Sequence, residues 1–69
     1  MNLLISKRAA ECFGTERRIQ VLSVGHAAAF WSAERDASGL GVSELGNGGN
    51  VLDDNGKRIA RISYNGRIW

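Results

Sequence analysis

The sequence contains no proline, one cysteine and one histidine. Because Cys12 has no second cysteine to pair with, a disulfide within the chain is excluded. A structural zinc site needs about four Cys or His ligands, so a Cys/His metal centre is excluded as well, and we expect no cofactor. Apolar runs are short, and none approaches the ~20 residues that span a bilayer, so we expect no membrane partner.

The length of 69 residues allows one domain, which we assign to residues 1–69. A chain this short buries only about 60 % of the surface that its unfolded form exposes, so its stability is expected to be marginal. Small domains usually compensate with disulfides, a metal or oligomerisation. With the first two excluded, a well-packed core, a homodimer or a binding partner remains. The free thiol and the absence of a secretory leader predict a cytoplasmic protein, located in the host cytoplasm if a phage encodes it.

Nine glycines and the lack of proline indicate turns built from Gly and Asn. The clearest turns are the two Asn-Gly pairs, Asn55–Gly56 and Asn65–Gly66, each flanked by alternating residues. Asn-Gly is the strongest short hairpin signal, because a type I′ turn needs positive φ at both central positions. These pairs predict a C-terminal β-meander whose arms are residues 50–53, 57–64 and 67–69.

Two further strands are predicted near the N-terminus, over Leu3–Ile5 and Arg18–Val24, with a hairpin turn at Gly14–Thr15. Residues 7–13 between them are ambiguous: their alanines suit a helical turn, whereas the flanks favour a continued strand, which we prefer. Cys12 has no neighbouring histidine to activate its thiol, so we interpret it as buried and inert.

One helix is predicted to begin near Val24. Ser23 is the candidate N-cap, because a serine hydroxyl accepts a hydrogen bond from an otherwise unpaired amide. Gly39 and Gly41 provide a left-handed end. Trp31 lies outside the apolar stripe of this helix. At about 100° per residue, the stripe predicted to pack on the sheet consists of Ala29, Phe30, Ala33, Ala37 and Leu40.

These elements follow the order ββαββ and predict an α+β fold, in which one helix packs on an antiparallel sheet. No internal repeat and no second domain are apparent. The segment 46–49, Gly-Asn-Gly-Gly, is interpreted as a flexible connector that no ordered strand would include, since glycine destabilises element interiors by about 0.5–1 kcal/mol.

Basic residues concentrate on the predicted meander, whereas several acidic residues lie on or just after the helix. A basic sheet beside Tyr64 and Trp69 suits a phosphate backbone and stacked bases; the structural alternative is that Lys and Arg protect exposed sheet edges from aggregation. Trp31 either forms an exposed apolar patch for a partner or caps an edge of the core, and for Trp69 core packing is favoured. The candidate partner-binding residues are Trp31, Arg35, Lys57, Arg58, Arg61, Tyr64 and Arg67.

Motifs for catalysis are missing. His26 with Ser23 or Asp36 lacks the spacing of a nucleophile–base pair, and no Gly-x-Ser-x-Gly elbow occurs. We therefore expect a non-enzymatic interaction protein that inhibits a larger protein or ribonucleoprotein by steric occlusion. The alternative is a small nucleic-acid-binding module that uses the basic sheet directly.

In its organisation, ββαββ within 69 residues with a Gly-rich loop and a short last strand, the chain resembles the small phage-encoded anti-CRISPR proteins. The resemblance covers most of the chain but rests on organisation and not on a shared motif, so no site residue is carried over from it. It implies a viral protein that binds a subunit of a CRISPR surveillance complex and blocks access to DNA.

Overall fold

A computed structural model describes residues 1–69, which form a four-stranded antiparallel sheet and three helices. The strands are β1 (Asn2–Ile5), β2 (Arg18–Gln20), β3 (Gly49–Leu52) and β4 (Arg58–Ile62). The helices are α1 (Lys7–Phe13), α2 (Val24–Ser38) and α3 (Val42–Leu45). In the sheet the strands lie in the order β2-β1-β3-β4. The predicted α+β class with an antiparallel sheet is confirmed, whereas the predicted ββαββ order with one helix is wrong because α1 and α3 are present.

Residues 7–13 form α1 and not the preferred strand. The Ser6 Oγ accepts a hydrogen bond from the Ala9 amide at 3.1 Å, which caps the first turn, and Gly14 ends the helix with a φ of 71°. Ala9 and Ala10 are both buried, which a strand with one covered face would not achieve for consecutive residues. β1 and β2 are therefore neighbours joined through α1, and not through the predicted hairpin turn.

The predicted main helix is confirmed as α2. The Ser23 Oγ accepts a hydrogen bond from the His26 amide at 3.0 Å, and Gly39 ends the helix with a φ of 66°. The prediction that Gly41 also contributes to the left-handed end of α2 is wrong. Its φ is −94°, and it is the N-cap of α3.

The face of α2 that packs on the sheet differs from the predicted stripe. Ala27 and Trp31 are fully buried, while the predicted core alanines Ala29, Ala33 and Ala37 are exposed. The centre of the predicted stripe lies about 130° around the helix from the buried pair. Of the stripe, only Phe30 and Leu40 are partly buried and pack against the core. Alanines lie on both sides of α2. The side with Trp31 is buried because its indole removes the most apolar area from water.

Both turns of the meander form, but neither is of type I′. Only glycines have positive φ, namely 82° at Gly56 and 84° at Gly66 within these turns, so the preceding asparagines do not meet the type I′ requirement. The Gly56 amide donates to the Asp53 carbonyl at 3.0 Å, and the Gly66 amide donates to the Ser63 carbonyl at 2.9 Å. Each turn is therefore a three-residue connection closed by a left-handed glycine, another common hairpin geometry.

The Gly-rich segment 46–49 is partly a strand, because β3 begins at Gly49. A Cβ on Gly49 would lie 2.7 Å from the Leu4 carbonyl oxygen, and one on Gly48, whose φ is 95°, would overlap the Ile62 carbonyl. The prediction that no strand would include this segment is wrong, since glycine is what allows β1 and β4 to approach it so closely.

The helices cover one face of the sheet and leave the other open. Leu3 pairs with Val51 and Val51 pairs with Ala60, so these three buried side chains share the covered face. The complete buried core consists of Leu3, Ile5, Ala9, Ala10, Val21, Ala27, Trp31, Leu45, Val51, Ala60 and Ile62. None of the three helices has the length and hydropathy needed to cross a bilayer.

Candidate functional site

Trp31 does not belong to a partner surface, because the residue is 0 % exposed. Its Nε1 donates to the Tyr64 carbonyl at 2.9 Å, and its ring meets the Phe13 ring edge to face with centroids 5.4 Å apart. Buried indole nitrogens usually find such a hydrogen-bond partner. The prediction of an exposed patch at Trp31 is therefore wrong, and the residue lies in the centre of the core.

Arg35 and Tyr64, two more candidate site residues, lie partly buried beside Trp31. The Arg35 Nη1 donates to the same Tyr64 carbonyl at 2.8 Å, and its guanidinium carbon lies 5.7 Å from the centroid of the Tyr64 ring. The Tyr64 hydroxyl donates to the Leu40 carbonyl at 2.7 Å. We call Trp31, Arg35 and Tyr64 the α2 clamp, because they join α2 to the second meander turn. Their polar groups are engaged within the protein, which argues against a role in binding a partner.

The other four candidates, Lys57, Arg58, Arg61 and Arg67, are exposed on the meander. Arg58 and Arg61 lie in β4, whereas Lys57 and Arg67 each follow the glycine of a turn. None of the four forms an ion pair within the chain. Their charges are therefore available to a partner, unlike that of Arg35.

Arg61 belongs to a line of side chains that crosses the whole open face. Antiparallel pairing places Arg18 opposite Leu4, Leu4 opposite Asn50, and Asn50 opposite Arg61. Trp69 continues the line, because it exchanges two backbone hydrogen bonds of 2.8 and 3.1 Å with Arg61. Paired residues point to the same side of a sheet. We call these five residues the cross-sheet row.

A second line lies next to the cross-sheet row on the same face. It runs from Gln20 through Asn2 to Leu52, each paired with the next. An extra residue in β4, Ile59, then brings Arg58 opposite Leu52. The open face therefore combines guanidinium groups near its two edges with carboxamides and leucines between them.

A shallow hollow of about 270 Å³ lies at the β4 edge of the sheet. It is lined by Arg58, Ile59, Ala60, Arg61 and Trp69. Ile59 is 45 % exposed and Trp69 is 71 % exposed. Two arginines and a tryptophan thus border one depression that is open to solvent.

The open face is positive because no strand contains an Asp or Glu residue. The carboxylates of the first meander turn are engaged locally. Asp53 Oδ1 accepts hydrogen bonds from the Asn55 and Lys57 amides at 2.9 Å, and Asp54 Oδ1 accepts one from the N-terminal ammonium at 2.7 Å. The hydrogen bond from that ammonium lowers the pKa of Asp54 below its ordinary value.

The other acidic residues lie in the helices or, for one of them, just before β2. In α3, the Ser43 hydroxyl donates to Glu44 Oε2 at 2.9 Å, and this hydrogen bond lowers the pKa of Glu44. The helices also carry cations, Lys7 and Arg8 of α1, so their side of the protein has charges of both signs. The strands of the open face carry positive charges alone. The acidic residues outside the first meander turn are Glu11, Glu16, Glu34, Asp36 and Glu44.

Two members of the site, Arg18 and Trp69, are not among the residues that the sequence analysis selects as partner-binding. Core packing is favoured there for Trp69, although its position beside a basic sheet is noted, but the residue is largely exposed because it lies opposite Arg61 on the open face. Arg18 was assigned to a strand without a face. The signal that identifies both is the alternation of buried and exposed residues once the strands are paired, and the pairing depends on contacts between distant parts of the chain.

Residues capable of nucleophilic or acid–base chemistry are scattered. The His26 Nδ1 accepts a hydrogen bond from the Leu22 amide at 2.9 Å, so this imidazole helps to hold the start of α2. Cys12 is exposed on α1, and the prediction that it is buried is wrong because it points away from the side that carries Ala9 and Ala10. No group of three or more His, Cys, Asp or Glu side chains is placed to hold a metal ion.

Comparisons with known proteins identify no relative of this chain. The chain matches no protein-family model. No curated protein and no solved structure shows significant similarity to it. The resemblance to anti-CRISPR proteins stays a prediction, and the open face has to be interpreted from its own chemistry.

Proposed function

We propose that this protein is a non-enzymatic binding module that docks its open sheet face on an anionic surface of a larger partner and blocks that surface sterically. The observation that carries the proposal is the charge of the open face. Arg18, Arg58 and Arg61 lie on strands that contain no acidic residue, while the acids of the neighbouring turn are engaged by backbone amides and the N-terminal ammonium.

The shape and the composition of the open face suit this role. Four adjacent strands about 4.8 Å apart give a continuous surface on which no helix packs, and such a surface suits occlusion. Arg and Trp are the residue types that most often dominate binding energy at interfaces, and both occur in the cross-sheet row.

A ribonucleoprotein is one class of partner with an anionic surface, and the resemblance to anti-CRISPR proteins implies a partner of this class. In that case the protein would inhibit by covering the site through which the ribonucleoprotein reaches its nucleic-acid target. The binding surface proposed for this role is the open face, without the α2 clamp.

The proposal is tested with two double variants of equal charge. Arg18→Ala/Arg61→Ala removes two cations from the open face, and Lys7→Ala/Arg8→Ala removes two from α1. We expect the first variant to elute from immobilised heparin and from polyglutamate at clearly lower salt than the second, since the strands of the open face carry cations and no acid, whereas α1 carries Glu11 besides Lys7 and Arg8. Equal elution of both variants would show that net charge alone governs retention and would refute the proposal.

A further inference from the structure

The hollow at the β4 edge combines two features that a purely structural edge does not need. Trp69 is a large aromatic side chain left 71 % exposed, although a small domain gains stability by burying such a ring. It lies beside the guanidinium groups of Arg58 and Arg61, which have no acidic partner in the chain. A ligand that suits both features carries a planar aromatic ring and a negative charge close together.

Nucleotides have this chemistry, because each one joins a flat base to a phosphate. Bases stack on exposed aromatic rings, and the phosphates pair with Arg. The remaining open-face residues extend the match: the carboxamides of Asn2, Gln20 and Asn50 offer donors and acceptors to base edges, and Leu4 and Leu52 offer apolar contact.

We propose that the open face binds single-stranded nucleic acid, with one base stacked on Trp69 in the hollow and the phosphate backbone held by Arg61 and Arg18. This inference rests on the proposed binding function and specifies its partner. The strand crosses the sheet along the cross-sheet row. Arg61 and Arg18 are three strand spacings apart in the row, or about 14 Å, which sets the direction of the bound backbone.

A single strand fits this surface better than a duplex does. Reading a duplex requires an element that enters a groove, such as a helix or a two-stranded ribbon. The open face is a sheet surface that carries no helix, and its aromatic ring is useful only to a base that is free to leave its stack. The hollow therefore selects for unpaired bases.

The experiment is fluorescence anisotropy with labelled oligothymidylate and oligouridylate of about 12 nucleotides, and with a duplex of the same length. If three phosphates are contacted, the affinity of a single strand falls roughly 70-fold between about 20 and about 150 mM salt. Arg18→Ala/Arg61→Ala should reduce the slope of log affinity against log salt concentration to about one third of its original value. Lys7→Ala/Arg8→Ala should leave this slope nearly unchanged.

The stacking contact has a separate readout. Trp69→Ala should weaken binding of a single strand about fivefold or more while keeping the salt dependence, because it removes a base platform and no charge. Trp69 is exposed and Trp31 is buried, so quenching of the exposed indole by the oligonucleotide should vanish in the same variant. Far-UV circular dichroism confirms that each variant keeps the fold.

Three results would overturn the inference. The first is no anisotropy change with either single strand, the second is equal affinity for the duplex, and the third is unaltered binding by Trp69→Ala. If retention on heparin and polyglutamate still depends on the open face in any of these cases, the binding function stands with an anionic protein as its partner. If that dependence is missing as well, both proposals fail.

Discussion

Replacing Trp31 by Phe should destabilise the protein strongly, although nothing on its surface changes. Trp31 is 0 % exposed, and its Nε1 donates to the Tyr64 carbonyl, which also accepts from Arg35. The phenylalanine ring cannot donate this hydrogen bond and leaves part of the indole volume empty next to Phe13. Because Arg35 still satisfies the carbonyl, the loss is that of one hydrogen bond and of packing, and not of an orphaned polar group.

The expected magnitude follows from these contacts. The hydrogen bond contributes about 1 kcal/mol. Truncating a buried Trp completely costs about 3–5 kcal/mol, so losing the smaller part of the ring costs about 1–2 kcal/mol. The sum of about 2–3 kcal/mol compares with a total of roughly 3–10 kcal/mol for 69 residues at about 0.05–0.15 kcal/mol per residue. The melting temperature should fall by roughly 10–20 °C.

Urea unfolding followed by far-UV circular dichroism measures this change without relying on the altered fluorophore. Trp69→Phe is the matched control, since the same chemical change at a residue that is 71 % exposed should alter the free energy of unfolding by less than about 0.5 kcal/mol. If both variants were equally stable, Trp31 would not anchor the core, and the burial of this face of α2 would be refuted.

Three further outcomes test local features of the fold. Gly48→Ala should destabilise more than Gly56→Ala: both glycines have a φ above 80°, but only the Cβ at Gly48 would overlap the backbone carbonyl of Ile62, and urea midpoints that agree within error would contradict this close approach. The Cys12 thiol should react stoichiometrically with a thiol reagent in the absence of denaturant, and protection until unfolding would show that it is buried. Acetylating the N-terminal ammonium should raise the pKa of Asp54 in an NMR titration. The pKa of Asp54 is lower in the folded than in the unfolded protein, so the ion pair stabilises the fold at pH values above the ordinary pKa of the carboxyl. This contribution is lost as the pH falls through the lowered pKa. An unchanged titration after acetylation would contradict the contact.

The elements that local chemistry determines were predictable. Ser23 marks the start of α2 and Gly39 marks its end, because an N-cap and a left-handed glycine each act within one turn of the helix. The two meander turns were located by their Asn-Gly pairs, but their type was not, since Asp53 and Ser63 accept the hydrogen bonds that close three-residue connections. A two-residue type I′ turn and a three-residue connection both use Asn-Gly, so the Asn-Gly pair alone does not distinguish these two turn geometries.

The buried face of α2 depends on tertiary contacts and was not predictable from the pattern. Small residues occur on every side of this helix, so the stripe that the spacing of apolar residues selects has little advantage over the other sides. The side that packs inwards is fixed by what Trp31 meets, namely Phe13 of α1 and the carbonyl of Tyr64 in a turn that is distant in sequence. The same contacts remove Arg35 and Tyr64 from the candidate site. The exposed Lys57, Arg58, Arg61 and Arg67 were identifiable because charged residues rarely leave the surface.

The open face follows from the core, but its composition does not. Burying Leu3, Val51 and Ala60 on one side forces their neighbours in sequence to the other side, because a slip by one residue would reverse every side chain. The core requires nothing of the outward residues except that they tolerate water, and a sheet edge can be protected by carboxylates as well as by guanidinium groups. Edge protection therefore accounts for Arg18 and Arg61 but not for the lack of any strand carboxylate. It also fails for Trp69, since an exposed indole at an edge invites association and does not prevent it. The partner that we propose, which is anionic and carries aromatic rings, would account both for the lack of strand carboxylates and for the exposed indole.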